Sequence, residues 1–438
     1  MTAPSTVPDG PLPLKTTLIL SIPAVVIGIL TAVILFVVSK LADGLENVVW
    51  TTVPAALGID DTTGWWTFGV LTITGLVVGL IVWLVPGHAG PDPATTELVA
   101  TPLPLRTLPG LILVTVVGLG GGVSLGPENP IIAINTAVVV ALLARFFPKV
   151  PTMLAVMLAA AGTMGALFGT PVGAALILTG MVGMAKGGGA LWDRLFLPLV
   201  AAGTGSITML LLGEPQFAVE VTPLGPPQVG DILSGVVIAV VAVLLGLAAV
   251  HLYPYLHRLF HFMKNPVIPL TVAGALLGIL GVIGGPVTLF KGLTQMKELT
   301  ENADSMTVWQ LTLVTLVKIA ALLIAASAGF RGGRIFPAAF IGVAVGLVAH
   351  AIVPAVPTSL AIAAGVLGFV LVIGRDGWLA LFLAGIIVGD PTVLPILCIV
   401  ILPIWLMVTR QPLFLIRKPE AGPDAGPDAS TEAEKAAT

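Results

Sequence analysis

The sequence carries very little charge for its length. Only 9% of its 438 residues are Asp, Glu, Lys or Arg, whereas these residues make up about 25% of a typical soluble domain. Hydrophobic residues account for 57% of the chain, and its mean hydropathy is +1.08. So few charges exclude a soluble enzyme, a disordered regulator and a coiled coil. Because the apolar runs are unbroken rather than alternating, they predict an all-α polytopic membrane protein and not a β-barrel.

Cysteine is also scarce, and the net charge is small. A single cysteine, Cys398, excludes an intrachain disulfide and a cysteine-based metal cluster. A net charge of −3 argues against a nucleic-acid partner. The sequence has no HExxH motif, and its GxSxG match at 122–126 follows no predicted strand, which a nucleophile of that type requires. We therefore predict no enzyme activity, no cofactor and no metal site.

Apolar segments fill most of the chain, and several are shorter than the roughly 20 residues of a full membrane span. Short, broken and tilted helices are therefore expected. The predicted segments are 16–40, 65–86, 107–122, 130–147, 153–169, 172–185, 192–213, 231–256, 266–285, 308–328, 335–353, 358–374, 377–389 and 391–409. The predicted units are a disordered N-terminal tail (1–13), a first membrane repeat (14–213), a second, inverted repeat (214–418) and a disordered C-terminal tail (419–438).

The charges between these segments predict the topology. Loops 41–64 and 214–230 contain acidic residues and neither Lys nor Arg, whereas segments 257–264 and 410–418 are basic. The positive-inside rule puts the first pair outside and the second pair in the cytoplasm. We therefore expect a multi-pass protein of the plasma membrane with both termini in the cytoplasm.

The two halves of the chain repeat one pattern from opposite faces of the membrane. Segments 16–40 and 65–86 flank an outside loop and lead to a Gly/Pro break at 87–93. Segments 231–256 and 266–285 flank an inside loop and also lead to such a break. This pattern is typical of an inverted-topology repeat, in which the binding site lies where the halves meet, at broken helices.

Three breaks rich in glycine and proline each precede an apolar segment: GHAGPD (87–92), GGVSLGPE (121–128) and GGRIFP (332–337). Glycine lets the backbone turn and approach closely, and proline suits the first turn of a helix. Helix starts that converge there would direct unpaired N–H groups at one region, which is an anion site without formal positive charge. Ordinary kinks at helix contacts are the alternative. The residues of this helix-break motif are Gly87, Gly90, Pro91, Pro127, Gly333 and Pro337.

These motifs resemble those of the CLC chloride channels and chloride/proton antiporters, along nearly all of 14–418. GHAGPD aligns without gaps with the family's GSGIPE, and VSLGP matches its G(K/R)EGP in part. GGRIFP is similar to GxFxP, and QPLF at 411–414 stands where the family has a tyrosine after its last membrane helix. The chain is most similar to a divergent bacterial branch of ion-transport proteins. The resemblance implies a CLC-like fold and a homodimer with a pore in each subunit.

The resemblance also implies a central site for a small inorganic anion such as chloride. Backbone N–H groups of 125–126 would hold the ion from one helix start, and those of 334–335 would hold it from the other. His88 takes the place of the family's serine, and Phe414 that of its tyrosine. The implied anion-binding residues are His88, Ala89, Leu125, Gly126, Arg334, Ile335 and Phe414.

The chain departs from the family where protons would be handled. The gating glutamate falls on Leu125, and the inner proton-transfer glutamate of the antiporters falls near 179–181 (Thr-Gly-Met). Coupling needs protonatable groups along a path, so passive or weakly proton-coupled anion transport is predicted. Glu128 is either a displaced gate or an acid that complements the helix dipole. His88 is either an anion donor and pH switch or a histidine bonded to backbone at the cytoplasmic mouth. The alternative function, anion/proton antiport, would use these two residues.

Two further groups have open interpretations. Lys318 lies deep in an apolar run and needs a partner, for which Glu128, Asp390 and backbone carbonyls are candidates. His257 and His261 are four residues apart and would share a helix face, as metal ligands do. No third ligand is evident near them in the sequence, so an anchor at the membrane interface is predicted instead.

Overall fold

The computed structural model describes residues 14–60, 63–148, 150–184, 190–213 and 217–416, so the predicted tails 1–13 and 419–438 lie outside the described residues. Within these ranges the regular structure is helical, apart from one isolated pair of bridged residues. The helices before residue 214 are α1 (Leu14–Asn47), α2 (Val53–Leu57), α3 (Gly64–Leu84), α4 (Leu108–Gly120), α5 (Glu128–Phe146), α6 (Thr152–Phe168), α7 (Pro171–Met184) and α8 (Leu191–Leu211). The later helices are α9 (Val229–His261), α10 (Val267–Gly284), α11 (Leu293–Asn302), α12 (Val308–Ala328), α13 (Ile335–Ile352), α14 (Thr358–Gly374), α15 (Gly377–Val388) and α16 (Leu394–Val408).

Nine helical segments of the described chain are long and apolar enough to cross a membrane. The longest, Thr17–Leu57, arises because α1 continues through a π-helical turn (Val48–Thr52) into α2. Shorter apolar helices complete the bundle, and α14 buries nearly all of its side chains among its neighbours. The prediction of an all-α polytopic membrane protein with short and broken helices is confirmed.

The structure differs from the predicted segments at three places. The predicted loop 41–64 is largely helical, because Asp43 and Glu46 lie on the continuing end of α1 and do not interrupt it. Residues 257–261 of the basic segment 257–264 form the last turn of α9 rather than a loop. Helix α11 was not predicted because it has only three buried apolar residues, Leu293, Met296 and Leu299, and thus no apolar run. Their spacing of three is that of an amphipathic helix.

Glycines bring together corresponding helices of the two halves. On α3, a Cβ atom added to Gly75 would lie 2.2 Å from the carbonyl oxygen of Leu270 on α10. Conversely, a Cβ on Gly274 would lie 2.3 Å from the carbonyl oxygen of Leu71. Such close backbone contact is possible only because neither glycine has a side chain, and small residues play the same part at other membrane helix interfaces. The contact therefore joins the second long helix of one half to that of the other.

A second contact between the halves lies at two helix starts. Gly126 and Gly333, which precede α5 and α13 by two residues, form an antiparallel bridge. The N–H of Gly126 donates to the carbonyl of Gly333 at 2.8 Å, and the N–H of Gly333 donates to the carbonyl of Gly126 at 2.7 Å. The reciprocal pair relates equivalent positions of the two halves, so it holds the N-termini of α5 and α13 side by side.

Lys318 of α12 is completely buried and has backbone partners. Its Nζ donates to the carbonyls of Thr288, Leu289 and Phe290 at 3.0, 2.9 and 2.8 Å. The N–H of Phe290 in turn donates to the carbonyl of Gly122 at 3.1 Å. Of the partners considered from the sequence, backbone carbonyls are therefore the ones used. The lysine fixes the break after α10, and that break contacts the break before α5.

We expect Lys318→Met to destabilise the protein by about 2–4 kcal/mol, which lowers its thermal midpoint in detergent by several degrees. Methionine fills the space of the lysine stem, but two buried carbonyls and one half-buried carbonyl lose their donor. Each unpaired buried group costs about 1–3 kcal/mol. Lys264→Met is the matched control, since Lys264 is exposed after the end of α9. Equal midpoints for the two variants would contradict a stabilising role of Lys318.

Candidate functional site

A carboxylate occupies the start of α13. Glu128 is the first residue of α5, and its side chain reaches across to the other half of the chain. Its Oε1 atom accepts hydrogen bonds from the N–H groups of Ile335 at 2.6 Å and Phe336 at 3.4 Å. The residue is 1% exposed, and its Oε2 is buried without a hydrogen-bond partner among the described residues. Unpaired N–H groups at a helix start are a ready-made anion site, and here the anion is a side chain of the protein itself.

The two bridged glycines create the space for this carboxylate. A Cβ on Gly126 would lie 2.0 Å from Oε2 of Glu128, and a Cβ on Gly333 would lie 2.0 Å from its Cδ. Any side chain at either position would therefore collide with the carboxylate. Pro127 and Pro337 stand in the adjacent helix starts, where no N–H is needed. The second and third breaks are thus parts of one site.

The backbone N–H groups that were predicted to hold the anion make other hydrogen bonds in the structure. The N–H of Leu125 donates to the carbonyl of Val123 at 2.8 Å, and that of Gly126 is taken by the bridge to Gly333. An ion at these two amides would have to displace backbone carbonyls. On the other side, the donors are those of Ile335 and Phe336, one residue later than the predicted pair 334–335. The difference arises because the bridge places the first turn of α13, rather than the residue before it, opposite Glu128.

The first break forms a left-handed turn. Gly87, His88, Ala89 and Gly90 have φ angles of 85°, 51°, 54° and 80°, and such angles are costly for the two residues with side chains. The exposed imidazole of His88 bonds through Nδ1 to the carbonyl of Val82 at 2.8 Å. Of the two arrangements considered from the sequence, His88 adopts the one bonded to backbone. Ala89 is fully buried beneath the turn.

Two arginines attach the first break to the third. Arg331 donates to the carbonyls of His88, Ala89 and Gly90 at 3.3, 3.2 and 3.0 Å. Arg334 donates to the carbonyls of 93 and 96 at 3.3 and 3.1 Å. The bonds from Arg331 stabilise the left-handed turn, because the carbonyls of the turn converge on this one guanidinium group. All three breaks of the sequence are therefore linked around the start of α13.

An aromatic pair lies beside Arg334. Phe414, which is 1% exposed, stacks on Tyr253 of α9 with ring centroids 4.1 Å apart and planes 15° apart. The guanidinium carbon of Arg334 lies 5.4 Å from the centre of the Phe414 ring, within the range of a cation–π contact. Sequence reasoning placed Phe414 at the site but missed Tyr253, which brings a phenol to the neighbourhood where Phe414 has none.

A group of titratable side chains lies between the first break and the end of α9. The Nε2 atoms of His257 and His261 each lie 2.9 Å from Oδ2 of Asp92. Burial acts to raise the pKa of Asp92, but hydrogen bonds from the two imidazoles and from the N–H of Ala94 hold it well below its usual value. Sequence reasoning noted the two histidines and missed Asp92, which is 165 residues from His257.

Amide donors gathered at a helix start within a bundle of membrane spans suit the binding of an ion, and they define a polytopic ion-transport protein. A family model described as "Voltage gated chloride channel" matches residues 74–403. The chain belongs to this family, as the resemblance predicted. It is therefore a multi-pass membrane protein from a family that transports anions, and it is not an enzyme.

Similar proteins agree with this assignment. The chain is 49% identical over 406 residues to "Putative ion-transport protein YfeO" of Escherichia coli (strain 55989 / EAEC), covering 93% of this chain and 97% of that protein. The protein of the same name from Escherichia coli (strain K12 / DH10B) has the same identity and coverage.

Solved structures share the fold. A CLC-type fluoride/proton antiporter superposes with a TM-score of 0.72 at 18% identity, over 92% of this chain and 98% of that one. A slow cyanobacterial Cl−/H+ antiporter gives 0.73 at 15% identity, over 89% and 94%. A eukaryotic CLC transporter gives 0.67 at 16% identity, over 91% and 72%.

Proposed function

We propose that this protein conducts small inorganic anions, such as chloride, through a site at the start of α13 that Glu128 occupies when no anion is there. The observation that carries the proposal is the pair of hydrogen bonds from Ile335 and Phe336 to the Glu128 carboxylate. Donors that bind a carboxylate also bind a halide, because both are anions that accept N–H hydrogen bonds. Glu128 and the transported ion then compete for one site.

Protonation of Glu128 would decide this competition. An ionised carboxylate with one buried, unpaired oxygen is costly, and a proton on Oε2 removes the charge that binds the helix start. The neutral side chain then gives way to an anion. Anion flux is therefore proposed to rise as the pH falls, with Glu128 in the gating role that Leu125 cannot fill.

The proposal also includes weak coupling of anion transport to protons. The inner proton-transfer glutamate of the family's antiporters falls near 179–181 (Thr-Gly-Met) of this sequence, and the hydroxyl of Thr179 donates to the carbonyl of Ala175 at 2.7 Å. A proton that reaches Glu128 thus lacks that route inward. Stoichiometric anion/proton antiport is the second candidate, and it is favoured only by the presence of an acid in the anion site.

The test is flux from proteoliposomes loaded with chloride, with anion and proton movements recorded together. We expect anion efflux that increases at acidic pH, with far less than stoichiometric proton movement. Proton movement in a fixed ratio and in the opposite direction would favour antiport instead. If the purified protein neither binds halide in calorimetry nor passes any, the proposal of anion transport through this site is wrong.

The assembly and orientation are further parts of the proposal. We propose a homodimer with a pore in each subunit, located in the plasma membrane with both termini in the cytoplasm. The dimer rests on the family resemblance, and the orientation rests on the basic residues at 257–264 and 410–418. The proposed division into repeats 14–213 and 214–418 is supported by the reciprocal bridge between Gly126 and Gly333.

Leu125→Glu is expected to add a second pH-dependent block of anion flux. Leu125 is buried, and a Cβ on Gly332 would lie 2.5 Å from its Cβ, so its side chain packs against the break before α13. A carboxylate there adds negative charge next to the anion site and lowers flux at alkaline pH. Leu125→Met, which keeps the volume and adds no charge, is the control. Identical pH profiles for the two variants would show that position 125 does not face the ion.

A further inference from the structure

We propose that Asp92, His257 and His261 bind one divalent transition-metal ion of the zinc type. The three candidate ligand atoms, one from each residue, all lie within 4.8 Å of one another. The two histidines are four residues apart on α9, and their rings stack with centroids 3.8 Å apart and planes 20° apart. Both rings therefore direct a nitrogen atom towards one carboxylate oxygen, as ligands of a shared cation do.

The hydrogen bonds around His261 direct its Nε2 atom at the carboxylate of Asp92. Its Nδ1 lies 3.0 Å from the carbonyl oxygen of His257, so Nδ1 carries a hydrogen. Its Nε2 donates to Oδ2 of Asp92 at 2.9 Å, and a metal ion bound between the two atoms would take the place of that hydrogen. A metal-bound histidine whose other nitrogen donates to a carbonyl is the usual arrangement in metal sites.

Asp92 is oriented independently of the histidines. Its Oδ1 accepts a hydrogen bond from the N–H of Ala94 at 2.9 Å, which leaves Oδ2 directed at the two rings. Zinc binds nitrogen and oxygen at about 2.0–2.2 Å, which separates neighbouring ligands by roughly 3.3 Å. The observed separations of 2.9 Å need an outward shift of only a few tenths of an ångström to admit the ion.

The ligand types and the exposure indicate the class of metal. Two imidazoles and one carboxylate suit zinc, cobalt or nickel, whereas magnesium and calcium prefer oxygen ligands. The side chain of His261 is 44% exposed and that of Asp92 is 21% exposed, so the ion can enter from solvent and keep a water as fourth ligand. The charged guanidinium group of Arg331, which lies nearby, already donates hydrogen bonds to carbonyls of the first break.

Such an ion would join two distant parts of the chain. Asp92 ends the first break, whose carbonyls bind Arg331, and His257 lies one helical turn after Tyr253 on α9. A metal would therefore fix the first break against the helix that carries the aromatic pair. Binding of the metal does not depend on the proposed anion path, so the two proposals can fail separately.

The test uses the full-length protein without a histidine tag, stripped with EDTA and kept in detergent. Titration with Zn2+ in a calorimeter is expected to give one ion per chain, and Co2+ is expected to give the absorption bands of a tetrahedral site. His261→Ala and Asp92→Asn should each weaken binding at least about tenfold, since each removes a ligand. His251→Ala is the matched control, because His251 is also exposed on α9 and bonds to a carbonyl through Nδ1.

Thermal unfolding gives a second readout. Zn2+ should raise the midpoint of the wild type and of His251→Ala and leave that of His261→Ala unchanged, because only a folded site binds the ion. The exposed position of His261 makes this variant suitable even if Asp92→Asn fails to fold. The proposal is wrong if the wild type binds no ion at a ratio of one per chain, or if His261→Ala binds as tightly as His251→Ala.

Discussion

Glu128→Ala is expected to raise anion flux about ten- to a hundredfold at neutral pH and to remove most of its pH dependence. The ionised carboxylate holds the N–H groups of Ile335 and Phe336, and a hydrogen bond to a charged group contributes about 1.5–3 kcal/mol. Each 1.4 kcal/mol corresponds to about a factor of ten in occupancy. Removing the carboxylate leaves these donors to the anion at every pH. Flux from proteoliposomes measured across acidic to alkaline pH tests this result.

Two further variants separate the charge of Glu128 from its shape. Glu128→Gln keeps an oxygen that can accept the same hydrogen bonds but cannot ionise, so we expect intermediate flux that does not vary with pH. Glu298→Ala removes an exposed acid from α11 and should leave both flux and its pH profile unchanged. If Glu128→Ala has the flux and pH profile of the wild type, Glu128 does not gate the site and only complements the dipole of α5.

The helices could be predicted because their signals are local. Long apolar runs and Gly/Pro breaks mark their ends, and the predicted starts of the segments at 130 and 335 lie within two residues of the observed starts of α5 and α13. The same reasoning failed where the signal is not an apolar run. Helix α11 is polar on most of its surface, and the end of α1 remains helical although it carries Asp43 and Glu46.

The partners in the site could not be predicted, because they come from opposite halves of the chain. Glu128 and Ile335 are 207 residues apart, and the bond between them depends on the bridge between the two preceding glycines. Alignment by sequence position equates Leu125 with the family's gating glutamate. The gating role depends instead on which carboxylate can reach the start of α13. Glu128, at the first position of α5, is long enough to reach the start of α13. The sequence alone left open whether it does so.

Gly333→Ala is expected to reduce anion flux about tenfold or more, to near the background of protein-free liposomes. A Cβ at this position would lie 2.2 Å from Oε1 of Glu128, the atom that accepts the N–H of Ile335. If an anion replaces that oxygen, the methyl group overlaps the anion as well, since van der Waals contact with carbon needs about 3.5 Å or more. The same flux assay measures the loss, and gel filtration checks the fold.

The double variant Glu128→Ala/Gly333→Ala makes this test decisive. The three atoms nearest to the added methyl group all belong to the Glu128 side chain, so truncating that side chain removes the clash and leaves room for the protein to fold. Gly118→Ala on α4 is the control and should conduct normally, because no atom of the part of the chain that the structure describes lies within 4 Å of the added methyl group. Because the methyl group still fills the anion site, we expect the double variant to be blocked although Glu128→Ala alone conducts strongly. A double variant that conducts as well as Glu128→Ala would mean that anions do not pass the start of α13, and that Glu128 occupies a place the ion never uses.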